Sequence, residues 1–384
     1  MVVQQYEGSQ WHWQDEQIVK LLQFFLMRVH NFNAGPAALP RPVLEQVQTE
    51  LLDLQHTGMS VMEWSHRSNE FEAINNGAEQ GLRRLLGLGD DWAVLFLQGG
   101  ASLQFSMAPM NLLQNQARAD YLVHGTWGRK AIIEARKEGA ARVAASSEES
   151  GWRRVPRTDE FELDAGAKYV HFTSNETIEG VQWPVEPETG GVRLVCDASS
   201  DILSRPIDIG KYGLIYGGAQ KNIGPSGVTV VLVRRDWIEP LPKIPTMLSY
   251  ATHAKEHSLY NTPASFGIYM IGLVCQWIEL HGGLVGMRQR NAAKAQLLYD
   301  QIDASDFYQG FAERENRSQM NVTFRLPTEE LEKRFADESA QKHMVGLKGH
   351  RSVGGLRASI YNAVEPESVE ALTAFMREFE RTNG

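Results

Sequence analysis

The chain has 384 residues, 42% of them hydrophobic and 22% charged, which is enough for two packed domains with the balance of an ordinary globular protein. A formal net charge of −9 weighs against nucleic acid or an anionic membrane as the main partner, so any anionic ligand must find a local cluster of cations. The two cysteines, Cys196 and Cys275, lie in apolar runs and read as buried free thiols of a reducing, cytoplasmic compartment; no zinc spacing, HExxH or GxxxxGK[ST] occurs, and no metal site is expected.

Residues 1–26 are the odd stretch. Their apolar end, Leu21 to Met27, is broken by Gln23 and is too short to span a bilayer; a basic start and a small-residue cleavage site are both missing. They read as an N-terminal extension outside the fold, which starts near Met27. Asn33 to Pro40 is turn-rich, and Pro42 suits the first turn of a helix that Val43, Val47, Leu51 and Leu54 continue at helical spacing. Gly58 to Arg67 follows as a loop, and Phe71 to Leu86 is a second helix stopped by Gly87.

Trp92 to Leu97 is an apolar strand that runs into Gln-Gly-Gly-Ala-Ser. Small residues between a strand and a helix leave backbone N–H groups free to face a phosphate, although the GxGxxG spacing is absent and a plain tight turn has the same composition. Tyr121 to His124 is the next strand and leads to Trp127, an aromatic able either to cover a planar ring or simply to fill core. Ile132 and Ile133 lie on a helix that ends near Gly139, Arg142 to Ala145 is a short strand, and Tyr169 to Phe172 is another that ends in Thr-Ser-Asn-Glu-Thr-Ile-Glu-Gly.

From Val192 to Val233 the chain alternates strand and loop three times. Asp197 stands at the carboxyl end of the first strand, and Lys221 sits in a glycine-rich turn after the second. Neighbouring strands would bring the two together. A buried lysine has a lowered pKa and a free amine for attack on a carbonyl, and a carboxylate suits the ring nitrogen of pyridoxal phosphate. Spacing alone equally allows a loop-capping Asp197 and a solvated turn lysine at 221.

Beyond three prolines the chain reaches Ser-Leu-Tyr-Asn261-Thr262-Pro, then an apolar helix from Ser265 to His281, a second from about Met287 to Ile302, strands at Met320 to Leu326 and Leu356 to Tyr361, and a last helix opened by Pro366. Gly346 to Ser359 places His350, Arg351 and Arg357 in a glycine-rich turn and the strand after it, where arginine forks suit carboxylate or phosphate.

The runs DASSDILSRPID and YGGAQKNIGPSG closely resemble the phosphoserine aminotransferases, class-V enzymes of the aspartate aminotransferase fold, and the likeness extends from about Asn31 to the C-terminus. The resemblance implies an α/β protein of the type I aminotransferase fold. Its large domain, residues 41–285, would carry a mostly parallel seven-stranded sheet, with a smaller C-terminal α/β domain made of residues 27–40 and 286–384. It implies pyridoxal 5'-phosphate, with Lys221 as the catalytic amine and Asp197 as the partner of the ring nitrogen. Ala101 and Ser102 would hold the phosphate, Trp127 would stack on the ring, and Thr177 would bond the ring oxygen or the aspartate, with Gln220 beside them. Asn261 and Thr262 would reach the neighbour's cofactor phosphate across a homodimer with shared sites. Arg357 is expected to anchor the substrate's α-carboxylate, while His66, Arg67, His350 and Arg351 surround its phosphate. Some relatives carry an arginine where Ser102 stands.

The reaction implied is amino transfer between L-glutamate and 3-phosphooxypyruvate, giving O-phospho-L-serine and 2-oxoglutarate for serine biosynthesis; some relatives also act in pyridoxal phosphate biosynthesis. The rival readings are another class-V enzyme, such as a cysteine desulfurase or an alanine–glyoxylate aminotransferase, and a non-catalytic binding protein of the same fold. A desulfurase needs a mobile catalytic cysteine, which two cysteines in apolar runs do not suit.

Overall fold

Continuous apolar runs need cover on both faces, and the computed structural model, which describes residues 28–351 and 353–384, provides it. The extension expected at residues 1–26 lies outside the described residues. Strands β1 (Trp92–Leu97), β2 (Arg118–Val123), β3 (Ala140–Ser146), β4 (Tyr169–Thr173), β5 (Leu194–Asp197), β6 (Tyr212–Gly218) and β7 (Thr229–Arg234) form one seven-stranded sheet in the order β1-β7-β6-β5-β4-β2-β3. Only β7 runs against its neighbours, so this is the mostly parallel sheet expected.

The helices are α1 (Arg41–Glu50), α2 (Asn69–Leu86), α3 (Gly100–Leu112), α4 (Thr126–Glu138), α5 (Tyr250–Lys255), α6 (Ser265–Leu280), α7 (Gly283–Asp303), α8 (Glu329–Gln341) and α9 (Pro366–Asn383). Alternate residues of each strand enter separate cores. Trp92, Val94 and Phe96 of β1 join Val230 and Leu232 of β7 under α2 and α6. Ala93, Leu95 and Leu97 join Val231 and Val233 on the opposite face, under α3 and α4. A third core gathers Phe32, Phe324, Phe335, Phe375 and Phe379 around a small antiparallel sheet of β8 (Gln309–Gly310), β9 (Asn321–Arg325) and β10 (Leu356–Ser359). His30–Asn31 pairs in parallel with Met344–Val345, which brings the start of the described chain to this third core.

Helix ends follow local chemistry. The Ser68 hydroxyl accepts from Phe71 N at 3.3 Å, Glu70 and Glu72 stand in the first turn of α2, and Gly87 closes it in the left-handed conformation. Helix α1 stops at Glu50, short of the reach that Leu51 and Leu54 suggest. Leu54 begins a separate turn in which Gln55 and His56 take positive φ, so the apolar spacing outlasts the helix. Helix α7 starts at Gly283 rather than near Met287, because Gly282 and Gly283, both at positive φ, turn a corner of 80° between α6 and α7. Helix α8 had no apolar stripe to announce it. It rests on the Thr328 cap, which accepts from Leu331 N at 3.2 Å, and on the acidic first turn of Glu329, Glu330 and Glu332. Among the described residues no single helix is long and apolar enough to cross a membrane.

A tight contact between α2 and α6 tests this packing. A Cβ at Gly81 of α2 would lie 2.7 Å from Cys275 Cβ of α6. Alanine at an interior helix position gains about 1 kcal/mol over glycine, whereas overpacking a tight core costs about 1–3 kcal/mol. Gly81→Ala should therefore lower the thermal midpoint; a rise in that midpoint would show that the two helices separate freely.

Candidate active site

In an open α/β sheet the functional side chains collect where parallel strands end, since loops and helix N-termini meet there. A cavity of about 310 Å³ lies at that edge, lined by residues from Ala34 and Gly35, the start of α3, Trp127, the 173–178 segment, Asp197 to Ser200, Gln220, Lys221, His350 and Arg357. It has the size and mixed lining of a small-molecule site.

Lys221 follows β6 in a turn whose backbone is held from outside: Ala37 N donates to Gln220 O at 2.9 Å. Gly35, at φ +144°, packs against the lysine stem, where a Cβ would stand 3.2 Å from Lys221 Cγ. The lysine Nζ donates to Thr177 Oγ1 at 2.6 Å and stands 5.6 Å from the centre of the Trp127 ring. Burial brings its pKa down to about 8, with the Asp197 charge pulling upward and Arg357 pushing down. Asp197, at the end of β5, accepts from Ser199 N at 3.0 Å and from Ser199 Oγ at 2.6 Å through one oxygen. Burial raises its carboxyl above the usual range, and the Ser199 hydrogen bonds and the Lys221 charge oppose that rise.

Helix α3 begins at Gly100, preceded by Gly99 in the left-handed conformation with no side chain capping the first turn. The backbone at Ala101 and Ser102 thus faces the cavity with a helix N-terminus behind it, a ready anion site. Trp127 tilts against Phe105 at 6.5 Å, with Lys130 Nζ 4.4 Å from its ring centre. Buried polar atoms without a hydrogen-bond partner border this space: Trp127 Nε1, Thr173 Oγ1, Asn175 Oδ1 and Arg357 Nε.

At the mouth, Arg357 of β10 donates to Thr177 O at 3.2 Å. His350 feels Arg357, Arg351 and Lys130, which together with its burial hold its pKa below the usual imidazole value. This is the cation cluster that an acidic chain requires. His66 and Arg67 are not among the residues lining this cavity. His66 Nδ1 instead lies 3.4 Å from Thr262 Oγ1, and Asn261 donates to Thr262 O, so His66, Asn261 and Thr262 form a separate, partly exposed cluster.

Both cysteines are buried and free, and burial pushes the Cys275 thiol up to about 12 and Cys196 well above its ordinary value. Neither is a ready nucleophile. Among the described residues no group of His, Cys, Asp and Glu could hold a metal ion. Sequence reasoning passed over Gly35, Thr173, Asn175, Ser199 and Ser200, along with the buried acids Glu176 and Glu179 behind Trp127. Two acids flanking Thr177 in a segment that follows an apolar strand were the available signal.

The comparisons with known proteins agree with one another. The family model described as aminotransferase class-V matches residues 29–372. The chain is 57% identical over 359 residues to a phosphoserine aminotransferase of Niallia circulans, covering 93% of this chain and 99% of that one. It superposes on the phosphoserine aminotransferase structure from Bacillus circulans subsp. alkalophilus with a TM-score of 0.91 at 56% identity, over 93% of this chain and 99% of the other. A phosphoserine aminotransferase from Trichomonas vaginalis, solved with pyridoxal phosphate bound, gives 0.88 at 37% identity, over 91% and 100%.

An amine held near 8 is protonated below that pH and nucleophilic above it. In cofactor-free protein, reductive methylation of Lys221 followed by mass spectrometry should rise with a midpoint near pH 8, whereas exposed lysines follow their ordinary value near 10.4. A Lys221 profile that tracks the exposed lysines would refute the buried-amine description.

Proposed function

The chain belongs to the class-V aminotransferases, and on that premise we propose that it moves an amino group between L-glutamate and 3-phosphooxypyruvate, giving O-phospho-L-serine and 2-oxoglutarate. It is a pyridoxal-phosphate-dependent transaminase. The observation that carries the substrate assignment is one cavity holding a buried amine and a buried carboxylate, with Arg357 and His350 at its mouth.

The residues present fit pyridoxal 5'-phosphate. The α3 amides at Ala101 and Ser102 suit its phosphate, Trp127 offers a ring face, and Asp197 suits the ring nitrogen; Thr177 and Gln220 lie alongside. When bound, the cofactor supplies a carbonyl to carry the amino group and a ring that draws electrons from the substrate's α-carbon.

Lys221 takes the α-proton and returns it, a task that a pKa of about 8 serves, since a useful fraction of the amine is free near neutral pH. Thr177 holds the amine toward Trp127. Ser199 and Lys221 oppose the rise that burial imposes on Asp197 and so favour its charged form. Arg357 binds the α-carboxylate, and His350 with Arg351 meets the phosphate of one substrate and the side-chain carboxylate of the other. The cluster of His66, Asn261 and Thr262, outside this cavity and with Arg67 next in the chain, supports a homodimer in which each subunit lends these residues to the other's cavity. Serine biosynthesis in the cytoplasm is the setting that this chemistry and the buried free thiols suit.

Lys221→Ala should lower amino transfer by at least about 10³-fold without shifting the thermal midpoint of the cofactor-free protein, as loss of a general base predicts; retained turnover would remove Lys221 from the reaction. Arg351→Ala should raise KM for 3-phosphooxypyruvate about tenfold and that for glutamate far less, because a dianion loses more charge pairing. Equal changes for the two substrates in steady-state assays would take Arg351 out of the phosphate site.

A further inference from the structure

Helix α4 begins without a cap of its own. Gly125 precedes Thr126 and offers no side chain, yet the first amides of the helix are satisfied. Trp127 N donates to Glu176 Oε2 at 2.9 Å and Gly128 N to Glu176 Oε1 at 2.8 Å. Glu179 Oε1 accepts from Thr126 N at 3.0 Å and from Thr126 Oγ1 at 2.6 Å. Both acids are almost fully buried and come from one tight ladder in which Asn175–Glu176 pairs with Val181–Gln182. They meet where a side chain at 125 would be: a Cβ there would lie 2.6 Å from Glu176 Cδ and 2.9 Å from Glu179 Oε2.

We propose that Glu176 is a positioning residue for Trp127, acting with Glu179 to cap α4 in place of the side chain that Gly125 lacks. Burial raises the pKa of both acids, and the charges of Glu179 and Asp197 add to the rise of Glu176. Each oxygen of Glu176 takes a backbone N–H at a helix N-terminus, contacts that favour its charged form and oppose the rise that burial imposes. Glu179 Oε2 has no hydrogen-bond partner, and Arg129 nearby favours the charged form of this acid.

The same few residues grip the rest of the site. Thr177, between the two acids in sequence, accepts from Lys221 through its hydroxyl and from Arg357 through its carbonyl. Moving Glu176 therefore shifts the aromatic face relative to the amine. The inference rests on the reading of Trp127 as the residue that stacks on the cofactor ring.

The test is a double-mutant cycle in cofactor affinity, read by titrating refolded, cofactor-free protein with pyridoxal phosphate and following tryptophan fluorescence. Glu176→Gln must turn an NH₂ toward a backbone N–H and should weaken binding about tenfold, the scale of a lost charge-assisted hydrogen bond. Glu179→Gln keeps an oxygen to accept from Thr126 N and Oγ1 and should bind within about threefold of the native protein. In a Trp127→Ala background Glu176→Gln should add almost nothing, because its effect passes through the missing ring. Additive losses, or an equal loss from Glu179→Gln, would overturn the proposal. Trp127→Ala alone with native affinity would instead overturn the reading of Trp127 on which the proposal rests. If Glu176→Gln does not fold, Glu176→Asp, which withdraws the carboxylate from both amides, enters the same cycle with the same expected non-additivity.

Discussion

Lys221 and Asp197 share one cavity, the aspartate buried and the lysine partly so, and each makes the other's ionised form tolerable. An isolated charge at such depth costs several kcal/mol, so neither would remain ionised alone. The surrounding hydrogen bonds complete the arrangement: Ser199 gives two donors to the aspartate, and Thr177 receives the ammonium. What results is an amine whose pKa is brought down to about 8 beside a carboxylate whose hydrogen bonds and charged neighbour favour its ionised form, which is the division of labour that transamination asks of a protein.

The cavity depends on backbone as much as on side chains. Helices α3 and α4 both point their N-termini at it, and neither is capped by its preceding residue. At α3 the open amides face an anion site; at α4 they are closed by Glu176 and Glu179 from a distant segment. The difference separates a binding surface from a fixed wall. Glycine is needed at both junctions for distinct reasons: Gly99 takes a positive φ, while Gly125 leaves the room in which the acid pair meets.

The third core is tied to the cavity by polar contacts rather than by apolar packing alone. Lys294 of α7, fully buried, gives its protons to the carbonyls of Ile360, Tyr361 and Val364. Asn362 N donates to Asn222 Oδ1, the residue after Lys221, and Asn362 Nδ2 to Leu203 O. Tyr361 OH reaches Ala34 O beside Gly35. These directional bonds fix where β10 ends, and so where Arg357 stands relative to the lysine.

Much of this could be read from residues alone. Strands buried on both faces announce themselves as unbroken apolar runs, so β1, β4, β5, β6 and β7 were legible, as were the long helices whose apolar stripe or capping glycine is local. Lys221 and Asp197 were legible because their chemistry is bound to strand ends, and the runs around them match a known family. Helix α8 was not, since its existence rests on a cap and on Phe335 meeting a distant core. Nor could local sequence say that His66 sits with Thr262 instead of His350, or that Glu176 and Glu179 close a helix fifty residues upstream. Sequence determined which groups exist and which elements carry them, because propensity and periodicity act over a few residues. Only the tertiary structure decided which groups share a space and which proton each keeps, because burial and charge coupling depend on neighbours brought together from distant parts of the chain.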